Sequence, residues 1–214
     1  MKKISLIILV SILASILLVS CSSYGVKKEI SKNSQIKQLE KVGVIIRTSR
    51  GAVLKHSEIM LSIQKWSGGY RERKELVYLS SEDLSDEITM YDARLGRFAQ
   101  FDESRTFMKF KTIGVINLFF RTHGEELRSV MEAKGLDGLL IFEVDGFYSR
   151  ELQYIDMYSL TIVTDAEFNL LFLDRQSRTR DVNEIIGHKV RSILLDDIGG
   201  RFVTTLRKLN FITE

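Results

Sequence analysis

The segment Gly138-Leu139-Leu140-Ile141-Phe142-Glu143-Val144 is almost wholly apolar. A short apolar run of this kind is typical of a β-strand that is covered on both faces. The run follows Gly135, a residue type that commonly ends a helix. Before Gly135, an apolar stripe of Leu127, Val130 and Met131 recurs at helical spacing. The sequence therefore predicts a helix that turns directly into a buried strand.

Downstream of this strand, the pattern predicts a hairpin and a terminal helix. Residues 152–164 alternate in polarity and residues 168–173 form a second apolar run, separated by the three-residue loop Asp165-Ala166-Glu167. From Ile186 to Leu209, apolar residues recur almost entirely at intervals of four, which predicts one long helix facing a core. Gly199-Gly200 lies inside that helix and is expected to weaken or kink it.

Upstream, strands and helices alternate. Residues 42–48 and 76–79 are predicted to be strands, and residues 52–66 a helix. The segment Ser80 to Asp83 resembles a capping pattern that opens a short helix through Met90. The segment 92–121 has no clear period, and within it Ile113 to Phe120 fits either a strand or a helix. Thr122-His123-Gly124-Glu125 resembles a capping box and predicts that a helix begins at Thr122.

This order predicts an α/β protein with an α+β tendency: a mixed sheet with a late antiparallel hairpin and helices packed on it. We expect three parts: a signal peptide over residues 1–20, whose end is implied by the resemblance described next, a polar, lysine-rich tether over residues 21–40, and a single globular domain over residues 41–214.

The amino terminus has the layout of a secretory signal. Lys2 and Lys3 precede a run from Ile4 to Val19 that only three serines interrupt. The segment Leu18-Val19-Ser20-Cys21 then resembles the lipobox of bacterial lipoproteins. That resemblance implies cleavage between Ser20 and Cys21, acylation of Cys21 and attachment to the cell envelope. Ser22 rather than an aspartate after the cysteine favours the outer membrane, on a periplasmic or surface face that the sequence leaves open.

Two alternatives to a lipid anchor remain. A membrane-spanning helix needs about 20 apolar residues, and this run is shorter. An ordinary signal peptide also fits, although it does not require a cysteine after the cleavage site. Cleavage would remove two lysines and no acid, so the formal net charge would fall from +3 to +1. A near-neutral, exported domain is not expected to bind nucleic acid.

A second resemblance concerns the turn before the buried strand. The residues Gly135-Leu136-Asp137-Gly138 and the apolar run after them look like the helix-to-strand turn of envelope lipoproteins related to the curli-secretion and TolB amino-terminal domains. The resemblance covers roughly residues 123–208. It implies a role in assembly, secretion or activation of envelope machinery, mostly by binding other proteins, without channel activity.

Motifs for catalysis or cofactors are sparse, and we expect neither an enzyme nor a cofactor. His56, His123 and His188 have no metal-binding spacing, and the sole cysteine is Cys21. The loop Arg47 to Gly51 lies between a strand and a helix, where an anion can bind. Acids at positions 137, 143, 145 and 156 offer a carboxylate pair for an envelope hydrolase.

The remaining candidate binding residues are basic side chains and tyrosines. Basic groups lie at 71–74 and at Arg175, Arg178 and Arg180, where a solvated loop is the default interpretation. Tyr148, Tyr154 and Tyr158 are the candidate interface, since tyrosine is enriched at interfaces. We therefore expect a non-enzymatic, protein-binding envelope lipoprotein of unknown oligomeric state. The alternatives are a surface lipoprotein that binds host or environmental ligands, and the hydrolase.

Overall fold

The structure is a computed structural model that describes residues 30–49, 54–91, 99–101, 108–110, 113–149, 154–181 and 187–214. Its helices are α1 Asn33–Ile36, α2 His56–Ser67, α3 Asp86–Thr89, α4 Ile113–Lys134 and α5 Gly187–Lys208. Its strands are β1 Ile30–Ser31, β2 Lys41–Ser49, β3 Arg71–Glu72, β4 Glu75–Leu79, β5 Met90–Tyr91, β6 Ala99–Phe101, β7 Met108–Phe110, β8 Gly138–Ser149, β9 Tyr154–Asp165, β10 Leu170–Asp181 and β11 Ile212–Thr213.

The main sheet is mixed, as the sequence predicts. Its strand order is β1-β10-β9-β8-β2-β4, and β5 pairs with the end of β2. The pairs β2–β4 and β2–β8 are parallel, whereas β8, β9 and β10 form an antiparallel meander of three long strands. The α/β class, the late hairpin and the packed helices are therefore confirmed.

Helices cover both faces of this sheet, which explains why β2 and β8 are apolar on both sides. On one face, α2 and α5 enclose a cluster that includes Ile63, Phe142 and Phe202. On the other face, α3 and α4 enclose a second cluster that includes Ile45 and Leu127. Within the described ranges, none of the helices has the length and apolar composition that a bilayer crossing requires.

The turn from α4 to β8 explains the run Gly135-Leu136-Asp137-Gly138. Gly135 has a φ of +63°, and Leu136 N–H donates to the carbonyl of Met131 at 2.9 Å, which closes the helix end. A single carboxylate oxygen of Asp137 accepts from the backbone N–H groups of Glu40 and Lys41 at 2.9 and 2.8 Å. A Cβ on Gly138 would lie 2.3 Å from the carbonyl oxygen of Thr164. Each residue of the turn thus has a separate structural role.

Two expectations about element boundaries are wrong. Helix α4 begins at Ile113 rather than at Thr122. Thr122 lies in the middle of the helical segment, and its hydroxyl donates to the carbonyl of Leu118 at 3.0 Å. Residues 30–40, predicted as part of the tether, belong to the fold: β1 pairs with β10, and Ile36 and Leu39 are buried. The remainder of that tether and the signal peptide lie outside the described residues.

The terminal helix is continuous. Gly199 and Gly200 lie inside α5 without ending it. Gly199 is buried against α2, where Ser62 donates a hydrogen bond to the carbonyl of Leu195 at 2.6 Å. The glycine that the sequence marks as a weak point is therefore the point of closest approach between two helices.

Candidate functional site: a buried ion pair between parallel strands

A charged residue lies inside each of the two central parallel strands. Arg47 in β2 and Glu143 in β8 are opposite each other in the register, and they are 1% and 0% exposed. The Arg47 guanidinium donates to Glu143 Oε2 at 2.9 Å. Each charge offsets the cost of burying the other, because a single unpaired charge at this buried position would be strongly unfavourable.

Neighbouring elements bind both charged groups. Tyr158 of β9 donates its hydroxyl proton to Glu143 Oε1 at 3.0 Å. The Nε–H of Arg47 donates to the carbonyl of Ile88 in α3 at 2.8 Å. The Arg47 Cζ lies 4.7 Å from the centre of the Phe119 ring of α4, a cation–π distance. This cluster of Arg47, Glu143, Tyr158 and Phe119 thus joins three strands and two helices, and we call it the buried ion-pair cluster.

His123 extends the cluster towards the surface. Its ring centre lies 5.0 Å from that of Phe119. Burial lowers the pKa of His123, the nearby positive charge of Arg47 lowers it further, and Glu126 and Glu87 oppose this shift. The folded protein therefore favours neutral His123.

A pH-dependent contribution to stability follows from this lowered pKa. A histidine whose pKa is lower in the folded state stabilises the fold above its unfolded pKa of about 6.5, and this stability is lost as the pH falls through the folded pKa. We expect the free energy of unfolding to fall more steeply below about pH 6.5 for the wild type than for His123→Gln. Urea titrations of both proteins at several pH values measure this difference, and parallel curves would contradict it.

The cluster corrects two sequence-based interpretations. Arg47 does not contribute to an exposed anion loop, because its side chain points into the core; Arg50 and Gly51 lie outside the described residues. Tyr158, one of three candidate interface residues, is fully buried and hydrogen-bonded to Glu143. The backbones of Tyr148 and Tyr154 lie in β8 and β9, and their side chains lie outside the described part.

The proposed carboxylate pair does not form between the two acids whose side chains are described. Asp137 lies at the start of β8 and Glu143 six positions along it, which separates them by about 20 Å. Backbone amides bind Asp137, whereas Arg47 and Tyr158 bind Glu143. The side chains of Asp145 and Asp156 lie outside the described part, as do Ser20 and Cys21.

The remaining candidates whose side chains the structure describes are surface or boundary groups, whereas the side chains of Arg178, Arg180 and His188 lie outside the described part. His56 is the first residue of α2 and is partly buried, which lowers its pKa. Arg73 donates to Asn210 at 2.8 Å, and Lys74 pairs with Glu40 at 3.2 Å. Among the side chains that the structure describes, no group of three or more His, Cys, Asp or Glu is placed to hold a metal ion.

Sequence reasoning missed the pairing of Arg47 with Glu143, although a signal was present. Arg47 is the only charged residue in the mostly apolar run 42–48 of β2, and Glu143 is the only one in the run 138–144 of β8. A strand covered on both faces has no solvent for a charge. Two such strands with opposite charges indicate a buried ion pair once they are placed side by side.

Comparisons with known proteins identify no family for this chain. No protein-family model matches it, and no curated protein matches it. Among solved structures, the PelC dodecamer from Paraburkholderia phytofirmans is 8% identical with a TM-score of 0.39, over 75% of this chain and 85% of that chain. Lipoprotein GNA1162 from Neisseria meningitidis is 9% identical with a TM-score of 0.32, over 78% of this chain and 98% of that chain. At these TM-scores, neither likeness carries an argument about function.

Proposed function

We propose that this protein is a lipid-anchored bacterial envelope protein whose α/β domain binds other envelope proteins. The observation that carries the proposal is the lipobox-like segment Leu18-Val19-Ser20-Cys21 after a basic head and an apolar run. Acylation explains why the sole cysteine stands directly after that run. Several acyl chains on one residue would hold the protein at the membrane, since a single chain binds only marginally.

The fold supports a short tether. Ile30 already belongs to the main sheet of the domain, because β1 pairs with β10. The nine residues from Cys21 to Glu29 span at most about 30 Å when fully extended. A domain held this close to a membrane has a high effective concentration for partners in the same membrane. This favours a binding or assembly role for the domain.

The chemistry of the described residues also favours binding over hydrolysis. Of the four acids considered for a hydrolase, Asp137 and Glu143 stabilise the α4–β8 turn and the buried ion-pair cluster. Glu143 is also fully buried, so a substrate cannot reach its carboxylate. The outer membrane remains the proposed location, on the basis of Ser22.

Replacing Cys21 tests the anchor. In Cys21→Ala we expect complete loss of labelling by a radioactive fatty acid and release of the protein from the membrane fraction, because the acylated atom is gone. Ser20→Ala is the matched control, since it keeps a small residue at the cleavage position and should label normally. A labelled, membrane-bound Cys21→Ala protein would refute the lipid anchor.

Partner binding and orientation need separate measurements. Crosslinking in intact cells, followed by mass spectrometry of the crosslinked species, should recover envelope proteins together with this chain. Protease treatment of whole cells distinguishes the two faces of the membrane, because a periplasmic domain should survive it. Recovery of the chain without any crosslinked protein would argue against a binding role.

A further inference from the structure

The two edges of the main sheet differ in how they are protected from pairing with another chain. At one side, β1 covers part of β10, and beyond that pairing β10 contains only charged and polar residues from Asp174 to Asp181. At the other side, β4 pairs with β2, and no described strand lies along its outer edge. Exposed edges usually carry charges, proline or bulges that prevent pairing with another chain.

Strand β4 carries such a charge only at its first residue, Glu75, which pairs with Lys41 of β2 at 2.9 Å. Its residues from Leu76 to Leu79 are all apolar, and the first three are partly exposed. Leu76 and Tyr78 pack against the cluster of α2 and α5, whereas Val77 packs against the cluster of α3 and α4. From Leu76 to Leu79 the edge is therefore apolar on both faces of the sheet, and a strand added along these residues would extend both cores.

The charges around β4 specify the direction of an added strand. Residues 71–74 before it contain three basic residues and one acid, whereas residues 82–87 after it contain four acids and no basic residue. The exposed members include Arg71 and Arg73 on one side and Glu82 and Asp86 on the other. Antiparallel pairing of two identical strands would bring the basic end of each against the acidic end of the other.

We propose that β4 pairs antiparallel with β4 of a second copy of this chain, about a two-fold axis at Val77. In this register Leu76 lies opposite Tyr78 of the partner subunit, and Glu75 lies opposite Leu79 of the partner subunit. Directly opposite residues point to the same face, so both apolar layers continue across the axis. Stable interfaces bury about 1,200–2,000 Å², so the charged segments that flank β4 also take part.

A cysteine at the two-fold axis tests this register. In Val77→Cys the two thiols would be directly opposite, within disulfide reach. We expect a disulfide-linked dimer on mild oxidation of the full chain in membranes, and none in the wild type. Glu75→Cys is the matched control, because its two copies would be separated by four positions, about 13 Å, and should not crosslink. Failure of Val77→Cys to crosslink, or equal crosslinking by both variants, would overturn the proposal.

The mass of the assembly provides an independent measurement that needs no cysteine. The detergent-solubilised wild type should sediment as a dimer, and Val77→Lys should sediment as a monomer because it places a charge at the centre of the edge. Circular dichroism of both proteins checks that the variant is folded. A monomeric wild type, or a folded Val77→Lys that remains dimeric, would show that β4 is not the interface.

Discussion

Glu143→Ala is expected to destabilise the protein by about 3–5 kcal/mol, which is a large part of the stability of an ordinary domain. The substitution would leave the guanidinium of Arg47 buried at 1% exposure without the carboxylate that neutralises it. It would also remove the acceptor of the Tyr158 hydroxyl. Urea denaturation followed by circular dichroism measures the loss.

Two variants show whether burial is the cause. The exposed pair of Lys65 and Asp196 has the same type of contact at 3.0 Å, so Asp196→Ala should cost less than about 1 kcal/mol. The double variant Arg47→Met, Glu143→Leu removes both buried charges and should recover most of the stability that Glu143→Ala loses. A loss below about 1 kcal/mol in Glu143→Ala would mean that water reaches the cluster.

Gly199→Ala is expected to destabilise the protein by about 1–3 kcal/mol, because α2 and α5 would have to move apart. A Cβ at this position would lie 2.5 Å from the Ser62 hydroxyl oxygen, 2.6 Å from Trp66 Cδ1 and 2.9 Å from the Ser62 carbonyl oxygen. The backbone contact cannot be relieved by a side-chain rotation. Thermal and urea denaturation of the variant measure the cost.

The adjacent residue provides a matched control. A Cβ on Gly200 would lie 3.7 Å from the Trp66 ring, which is an ordinary van der Waals contact. Alanine is favoured over glycine inside a helix, so Gly200→Ala should be neutral or stabilising by up to about 1 kcal/mol. Equal effects of the two substitutions would show that helix propensity, rather than the helix contact, governs this position.

Local patterns in the sequence predicted most of the elements because each pattern reflects a local rule. The apolar run in β8 indicates a strand covered on both faces, and Gly135 ends α4 because it adopts a positive φ at little cost. The hairpin of β9 and β10 follows from alternation on both sides of a short loop. These features depend on neighbours within a few residues, so they can be read without the tertiary structure.

The prediction of where elements begin was wrong where one local pattern fits two different structures. The motif beginning at Thr122 matches a capping box, yet Phe119 and Phe120 before it continue the apolar face of α4 and contact the core. Residues 30–40 are polar on average, yet Ile36 and Leu39 are buried. In both cases burial against distant residues determined where an element begins, and the local pattern contains no information about it.

Local patterns were sufficient to predict the fold class, the order of the long helices and strands, and the hypothesis of a lipid anchor at Cys21. The partners of the polar groups emerge in the folded protein: Arg47 pairs with Glu143, and the backbone of β2 with Asp137. The fold also places Gly199 at a helix contact and β4 at an edge. Local patterns do not predict these contacts because they join residues far apart in the chain. Their positions depend on the register between strands and the packing of helices, which local propensities do not specify.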